Sequence, residues 1–239
     1  MSIQSSEAIV LRSFNFAELD KIVVLFTKEK GIIRVIAKGA KKFKNRFGSS
    51  LEPMSYIKIV YYEKETRDLL VLKTADLIES FFEIQKDFDT IKGLSYISEV
   101  IEGFIPHHLK EDLVFRLLLS ILRALKNEVP LPLILRYFEG WILKLSGFLP
   151  NFTKCRNCKT LIEEGWLSQK MDGIYCSGCS TMKKFKINSD FNQFIDFIKK
   201  NSPEHMKNLN YSEERLKIIE NILKQMLFYH LEKTPKSLL

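Results

Sequence analysis

At 239 residues the chain has room for one large or two modest domains with hydrophobic cores of their own. An apolar content of 46% excludes overall disorder, and the longest apolar run, around Leu117–Leu122, is far too short for a membrane-spanning helix. A formal net charge of +8 favours nucleic acid or another polyanion as partner, although charge alone discriminates weakly. The first residues, Met1-Ser-Ile-Gln-Ser-Ser-Glu7, lack a basic region followed by an apolar run. No secretion signal is therefore expected, and the expectation is a cytoplasmic protein with no membrane partner.

The first eighty residues repeat with a period of two. Ala8–Leu11 and Ile22–Phe26 read as short strands. Glu29-Lys30-Gly31 turns the second into Ile32–Ala37, a hairpin with glycine at the turn. Tyr56–Tyr62 alternates, and Leu69–Leu72 follows a polar turn at Glu63–Asp68 and runs on towards Leu77-Ile78. Five short strands with no helical period between them predict a small closed barrel over residues 1–80. An OB-fold is the natural candidate, and an SH3-like barrel is the alternative that periodicity leaves open.

Basic residues crowd the link between the third and fourth strands. Lys38, Lys41, Lys42, Lys44 and Arg46 fall within nine residues that contain no acid, and Arg34 precedes them. The segment through Ser50 also holds two glycines and two aromatics, and no apolar period. It reads as a long mobile loop whose cations can track a phosphate backbone. Phe43 and Phe47 are placed to stack on unpaired bases, each worth roughly 1–3 kcal/mol in such sites. Arg12 and Arg34 are weaker candidates for the same surface, because strand residues alternate faces. A solvated loop that merely keeps the protein soluble is the bland alternative. Phe14 and Phe16 read as core or barrel-rim residues.

Beyond Phe82 the apolar spacing changes to three and four. Ile91, Leu94, Ile97, Val100, Ile101 and Phe104 form one helix face, which Pro106-His107-His108 interrupts. Leu113 to Leu125 form a second, ended by Pro130 and Pro132, and Leu135 to Leu145 a third. Phe191, Phe194, Ile195 and Ile198 mark a short helix. Ser212 is placed to cap the last, whose face runs from Leu216 to His230. Residues 81–239 thus read as a helical domain carrying an insertion at about 150–185.

That insertion holds every cysteine of the chain. Cys155-Arg-Asn-Cys158 and Cys176-Ser-Gly-Cys179 are separated by seventeen residues. Two residues between cysteines let both thiolates of a pair meet one ion, and two such turns supply four sulfurs in a tetrahedron. Trp166-Leu-Ser168 and Ile174-Tyr175 form the expected connecting hairpin, turned by Asp172-Gly173. One structural zinc ion is the expectation. Two disulfides or a dithiol redox pair are the competing readings. Four thiolates would close the coordination shell, which argues against catalysis by the metal. The histidines do not compete for it: His107 and His108 sit beside a proline, and His205 and His230 are isolated. With no phosphate-binding loop, no nucleophile elbow and no acidic cluster for Mg²⁺, no enzymatic activity is expected. The fold class is α+β: an OB-fold barrel, then helices interrupted by a four-cysteine zinc hairpin.

Several segments resemble the bacterial RecO family of recombination mediators. They are Glu7–Arg12, Thr27–Ala40 with the basic loop after it, Leu145-Ser-Gly-Phe-Leu-Pro150 leading into Cys155, and the tail Thr234–Leu239. The specific part is their order: barrel, helices, cysteine pairs, helices. Two departures affect only the hairpin turns. Lys159 stands where the family often has glycine, and Asp172-Gly173 where Gly-Gly is common. Some members lack the cysteines, which suits a supporting role for the metal. The resemblance implies a protein that binds single- and double-stranded DNA and anneals complementary strands. It also implies engagement of the acidic tail of single-strand-binding protein, and work with RecR to help load RecA. A protein-interaction adaptor that does not bind DNA, and an RNA-binding factor, are the competing readings.

Overall fold

The computed structural model describes residues 2–63, 69–181, 183–231 and 235–238. The polar turn expected at Glu63–Asp68 lies, apart from Glu63, outside the described residues, as do Thr234 and Leu239 of the tail. The described residues fall into two compact units. One runs to residue 126 and takes in the chain from 235 onward; the other spans the residues from 127. Among them, no helix is long and apolar enough to cross a membrane.

The first unit is built on strands β1 (Ser2–Phe16), β2 (Asp20–Thr27), β3 (Gly31–Ala37), β4 (Tyr56–Glu63) and β5 (Leu69–Glu79). They close into a barrel in the order β1-β2-β3-β5-β4. Closure depends on the length of β1, which is 15 residues rather than the expected four. Its first half pairs with β4 (Ser2↔Glu63 to Ile9↔Tyr56), and its second half with β2 (Ala8↔Thr27 to Phe16↔Asp20). A bulge between Val10 and Arg12 marks the handover. β3 and β5 pair in parallel and the other strand pairs are antiparallel. Ala8, Val10, Val23, Leu25, Ile33, Val35, Ile57, Ile59, Tyr61, Leu70 and Leu72 fill the interior.

The outer face of the barrel is buried in part as well. Ile9, Leu11, Val24, Phe26, Ile32 and Tyr56 are buried yet alternate with the interior set. Helices α1 (Phe88–Phe104) and α2 (Asp112–Lys126) belong to the same unit. Phe115 of α2 lies 5.6 Å from the ring of Phe26 and 6.2 Å from that of Tyr56. Ser98 of α1 donates to the carbonyl of Leu11. This is why Ile9-Val-Leu11 and Leu25-Phe26 are continuously apolar: a strand buried on both faces loses its alternation. The period changes at residue 81, but the division between compact units falls after Lys126, because α1 and α2 pack on the strands.

The second unit contains α3 (Leu131–Leu145), α4 (Ser189–Lys200) and α5 (Glu213–Leu231), with strands β6 (Gly165–Leu167), β7 (Ile174–Tyr175) and β8 (Lys186–Ile187) between α3 and α4. Pro130 and Pro132 do more than end the preceding helix. Pro130 is the N-cap of α3 and Pro132 lies in its first turn, where a missing N–H costs nothing. Tyr137 Oη donates to the Asn201 carbonyl at the end of α4, and Trp141 Nε1 to that of Ile198. The buried Arg136 of α3 binds Glu139 on its own helix and Glu220 of α5. Asn188 caps α4 through the Phe191 N–H. Ser212 takes the capping position before α5, with a long 3.4 Å contact from Arg215 N.

Candidate nucleic-acid interface and metal centre

The basic link between β3 and β4 is folded rather than loose. Gly39, at φ +73°, and Gly48, at φ +54°, occupy the left-handed region that glycine adopts without cost. Gly39 N donates to Asp20 Oδ1 and Lys41 N to the Leu19 carbonyl, which ties the start of the loop to the β1–β2 turn. Asn45 Oδ1 accepts from the N–H groups of Phe47 and Gly48, an Asx-type turn. Ala40, Phe47 and Leu51 enter the barrel core, and Met54 N returns to the Val10 carbonyl.

The anchored backbone displays its cations outward. Lys38, Lys41, Lys42, Lys44 and Arg46 are exposed, and Phe43 is 100% exposed. None of the five cations forms an ion pair among the described residues. Arg46 donates to the Leu72 carbonyl and lies 4.8 Å from the Phe47 ring centroid. Phe47 itself is 4% exposed, so its expected role as a base-stacking platform is corrected: it is the apolar anchor of the loop. Arg34 is exposed between the buried Ile33 and Val35, and so lies on the outer face of β3. Arg12 is half-buried and bound to Glu102 of α1, with Phe14 beneath its guanidinium, which sets it apart from the open cations of the loop. Phe14 and Phe16 stand at the end of β1 and are about half exposed, so the rim reading fits them and the core reading does not. The sequence reading missed Asp20 and Asn45, which shape the loop. The spacing of Asn45 three residues before Gly48 is the turn signal that was there to be read.

Cys155, Cys158, Cys176 and Cys179 bring their four Sγ atoms within 4.8 Å of one another. Cys158 and Cys176 Sγ are 3.8 Å apart, and all four are free thiols, so the disulfide reading does not hold. A tetrahedral ion with metal–sulfur bonds of about 2.3 Å needs sulfurs about 3.8 Å apart, so the donor set fits a metal ion. Each pair is shaped by backbone turns: Lys159 N donates to the Cys155 carbonyl, and Cys179 N to that of Cys176. Lys159 sits at φ +62°, a region in which a side chain is strained. Burial pushes the Cys155 thiol up, but N–H donors from Cys176, Cys158 and Asn157 outweigh it and bring the group down to about 6. The Asn157 amide favours the Cys179 thiolate, yet its neighbouring sulfurs, Cys176 and Cys158, push it up to about 11. The sulfurs are competing for protons; a cation among them would remove that conflict.

The hairpin between the pairs departs from the expected two-residue turn. Trp166 pairs with Tyr175 and Leu167 with Ile174, as anticipated. The connection spans residues 168–173, where Ser168 Oγ bonds Asp172 and Met171 takes φ +55°. A third strand, β8, pairs with β6 through Trp166↔Lys186.

The chain matches the family model for the recombination protein O N terminal over residues 1–81 and that for its C terminal over residues 85–239. It is 31% identical over 233 residues to the DNA repair protein RecO of Koribacter versatilis, covering 97% of this chain and 95% of that one. Similar proteins of the same name include those of Caldicellulosiruptor saccharolyticus (28% over 239 residues, 100% and 97%) and Clostridium novyi (30% over 240 residues, 100% and 93%).

Proposed function

The chain belongs to the recombination protein O family, and from that premise we propose that it is a non-enzymatic DNA-binding and strand-annealing mediator of DNA repair and homologous recombination. The observation that carries this reading is the anchored loop Lys38–Arg46, with five exposed cations, no acid, and a fully exposed Phe43. Annealing needs no bond chemistry. It needs a cationic surface that neutralises two mutually repelling phosphate backbones and leaves the bases free to pair. An anchored loop suits that task, since little further ordering is required on binding.

The strand order β1-β2-β3-β5-β4 supports an OB-fold for residues 1–80, a barrel often used for oligonucleotides. In this reading Lys38, Lys41, Lys42, Lys44 and Arg46 neutralise phosphate, Phe43 stacks on an unpaired base, and Arg34 extends the surface. Residues 81–239 form the helical part with its insertion at about 150–185. Zinc suits four thiolates, and Cys155, Cys158, Cys176 and Cys179 would hold it between the two cysteine turns. Family membership supports RecR, RecA loading and the tail of single-strand-binding protein as partners, in the cytoplasm at the nucleoid.

The test is annealing of complementary oligonucleotides by the purified chain across a salt series. Acceleration that fades steeply with salt is expected. Annealing at the spontaneous rate at every salt concentration overturns the reading.

A further inference from the structure

The three-stranded sheet of the cysteine insertion has two unlike faces. Leu167, Ile174 and Ile187 are buried on one. On the other, Tyr175, Trp166 and Lys186 form a single row across β7, β6 and β8, because directly paired residues of antiparallel strands share a face. Trp166 and Tyr175 are partly exposed and Lys186 is exposed. Lys183 places its ammonium 5.1 Å from the Trp166 ring centroid. A cavity of about 510 Å³, whose lining includes Tyr175, Arg156, Lys170, Ser180, the carboxylate of Asp172 and the thiol of Cys179, adjoins the row.

Charge on this insertion is also biased. Residues 154–187 hold seven cations, Lys154, Arg156, Lys159, Lys170, Lys183, Lys184 and Lys186, against the three acids Glu163, Glu164 and Asp172. Four thiolates around a divalent ion subtract two further charges, which still leaves the insertion positive. Lys154, Lys170, Lys183 and Lys184 form no ion pair among the described residues. Arg156 and Lys186 pair with Asp172 and Glu164 in exposed bridges, which a phosphate can replace at little cost.

An aromatic row flanked by exposed cations, of which Arg156 and Lys186 sit in replaceable surface bridges and Lys183 against the Trp166 ring, fits one ligand chemistry better than others. Flat rings offer stacking to unpaired bases, and ammonium groups on either side meet the phosphates between them. We propose that the outer face of this sheet is a second single-stranded DNA site, with Trp166 and Tyr175 as stacking platforms and Lys183, Lys186, Arg156 and Lys170 as phosphate contacts. The inference rests on the DNA-binding reading above and deepens it. With one cationic surface on each compact unit, a single chain has separate places for two strands. An ion held by Cys155, Cys158, Cys176 and Cys179 would brace the turns that set β6 against β7, and so the platform itself.

The test is photocrosslinking of the unaltered, metal-loaded chain to an oligothymidylate carrying 5-iodouracil, with the attached peptides mapped. Attachment at Trp166 or Tyr175 is expected, and the Lys183→Glu/Lys186→Glu chain should bind the oligonucleotide roughly tenfold more weakly. If attachment is confined to the Phe43 loop and the double variant binds like the parent, the second site is overturned while the loop assignment stands. If no form of the chain binds in a salt-sensitive way, both readings fall together.

Discussion

Phe43 and Phe47 lie four residues apart in one loop and have opposite fates. Phe47→Ala should destabilise the protein by roughly 3–5 kcal/mol, because it empties part of the barrel core. Phe43→Ala should leave the melting temperature unchanged and weaken single-strand binding by roughly 1–3 kcal/mol. Thermal denaturation of both variants, alongside oligonucleotide titration, separates anchor from contact. Composition could not make that distinction: both rings sit among lysines, and only the Asn45 turn sends one inward. A second residue-scale expectation concerns Glu7. Its carboxylate accepts from Tyr56 Oη at 2.8 Å and from Lys28 Nζ at 3.1 Å, and these bonds, Tyr56 first, hold its pKa below the usual 4.5. A depressed carboxylate pKa contributes stability that is present above the unfolded value and lost as pH falls through the folded one. Tyr56→Phe should therefore lower the melting temperature at neutral pH, and that difference should shrink as the pH falls below about 4.5. A difference that stays constant down to acid pH would assign the loss to packing alone.

At the scale of elements, the turn between β2 and β3 shows how tightly the barrel is covered. Gly31 has φ +58°, and a Cβ there would lie 2.0 Å from the Leu109 carbonyl oxygen. Gly31→Ala combines left-handed strain with a backbone clash, so a loss above about 2 kcal/mol is expected by denaturant titration. The turn glycine was legible in the sequence, but its second role was not, since the partner lies in a loop far along the chain. The same limit explains the short reading of β1. Its outer residues, Ser2–Glu7, are too polar to show a strand period, and what makes them a strand is pairing with β4. Helix faces were easier to read, because period and burial coincide there: Ile97, Val100 and Ile101 of α1 and Phe191, Phe194 and Ile198 of α4 are all buried. In the cysteine insertion the spacing alone located the four sulfurs. It did not reveal β8, a two-residue strand whose partner lies twenty residues earlier. Treatment with a chelator should loosen this element, and Cys155→Ser, at the buried thiol, should lower the melting temperature. Metal analysis of the purified chain should find one zinc ion, and an unchanged melting temperature after chelation would contradict a structural role.

For the whole molecule, the net charge of +8 is informative because of where the open cations lie. Many lysines elsewhere are already paired with acids, as in Lys28–Glu7, Lys30–Glu63 and Lys110–Glu29. Those of the β3–β4 loop form no ion pair among the described residues, and hydrogen bonds from Gly39, Lys41, Phe47 and Gly48 hold the backbone beneath them. The central claim is that this loop meets the phosphate backbone of single-stranded DNA. Its most direct test is the affinity of the Lys41→Glu/Lys42→Glu/Lys44→Glu chain for an oligothymidylate, measured against salt beside the parent. The account predicts weaker binding at moderate salt and a log–log slope shallower by about two units, one share for each lost phosphate contact. Equal affinity and equal slope in the two chains would contradict it.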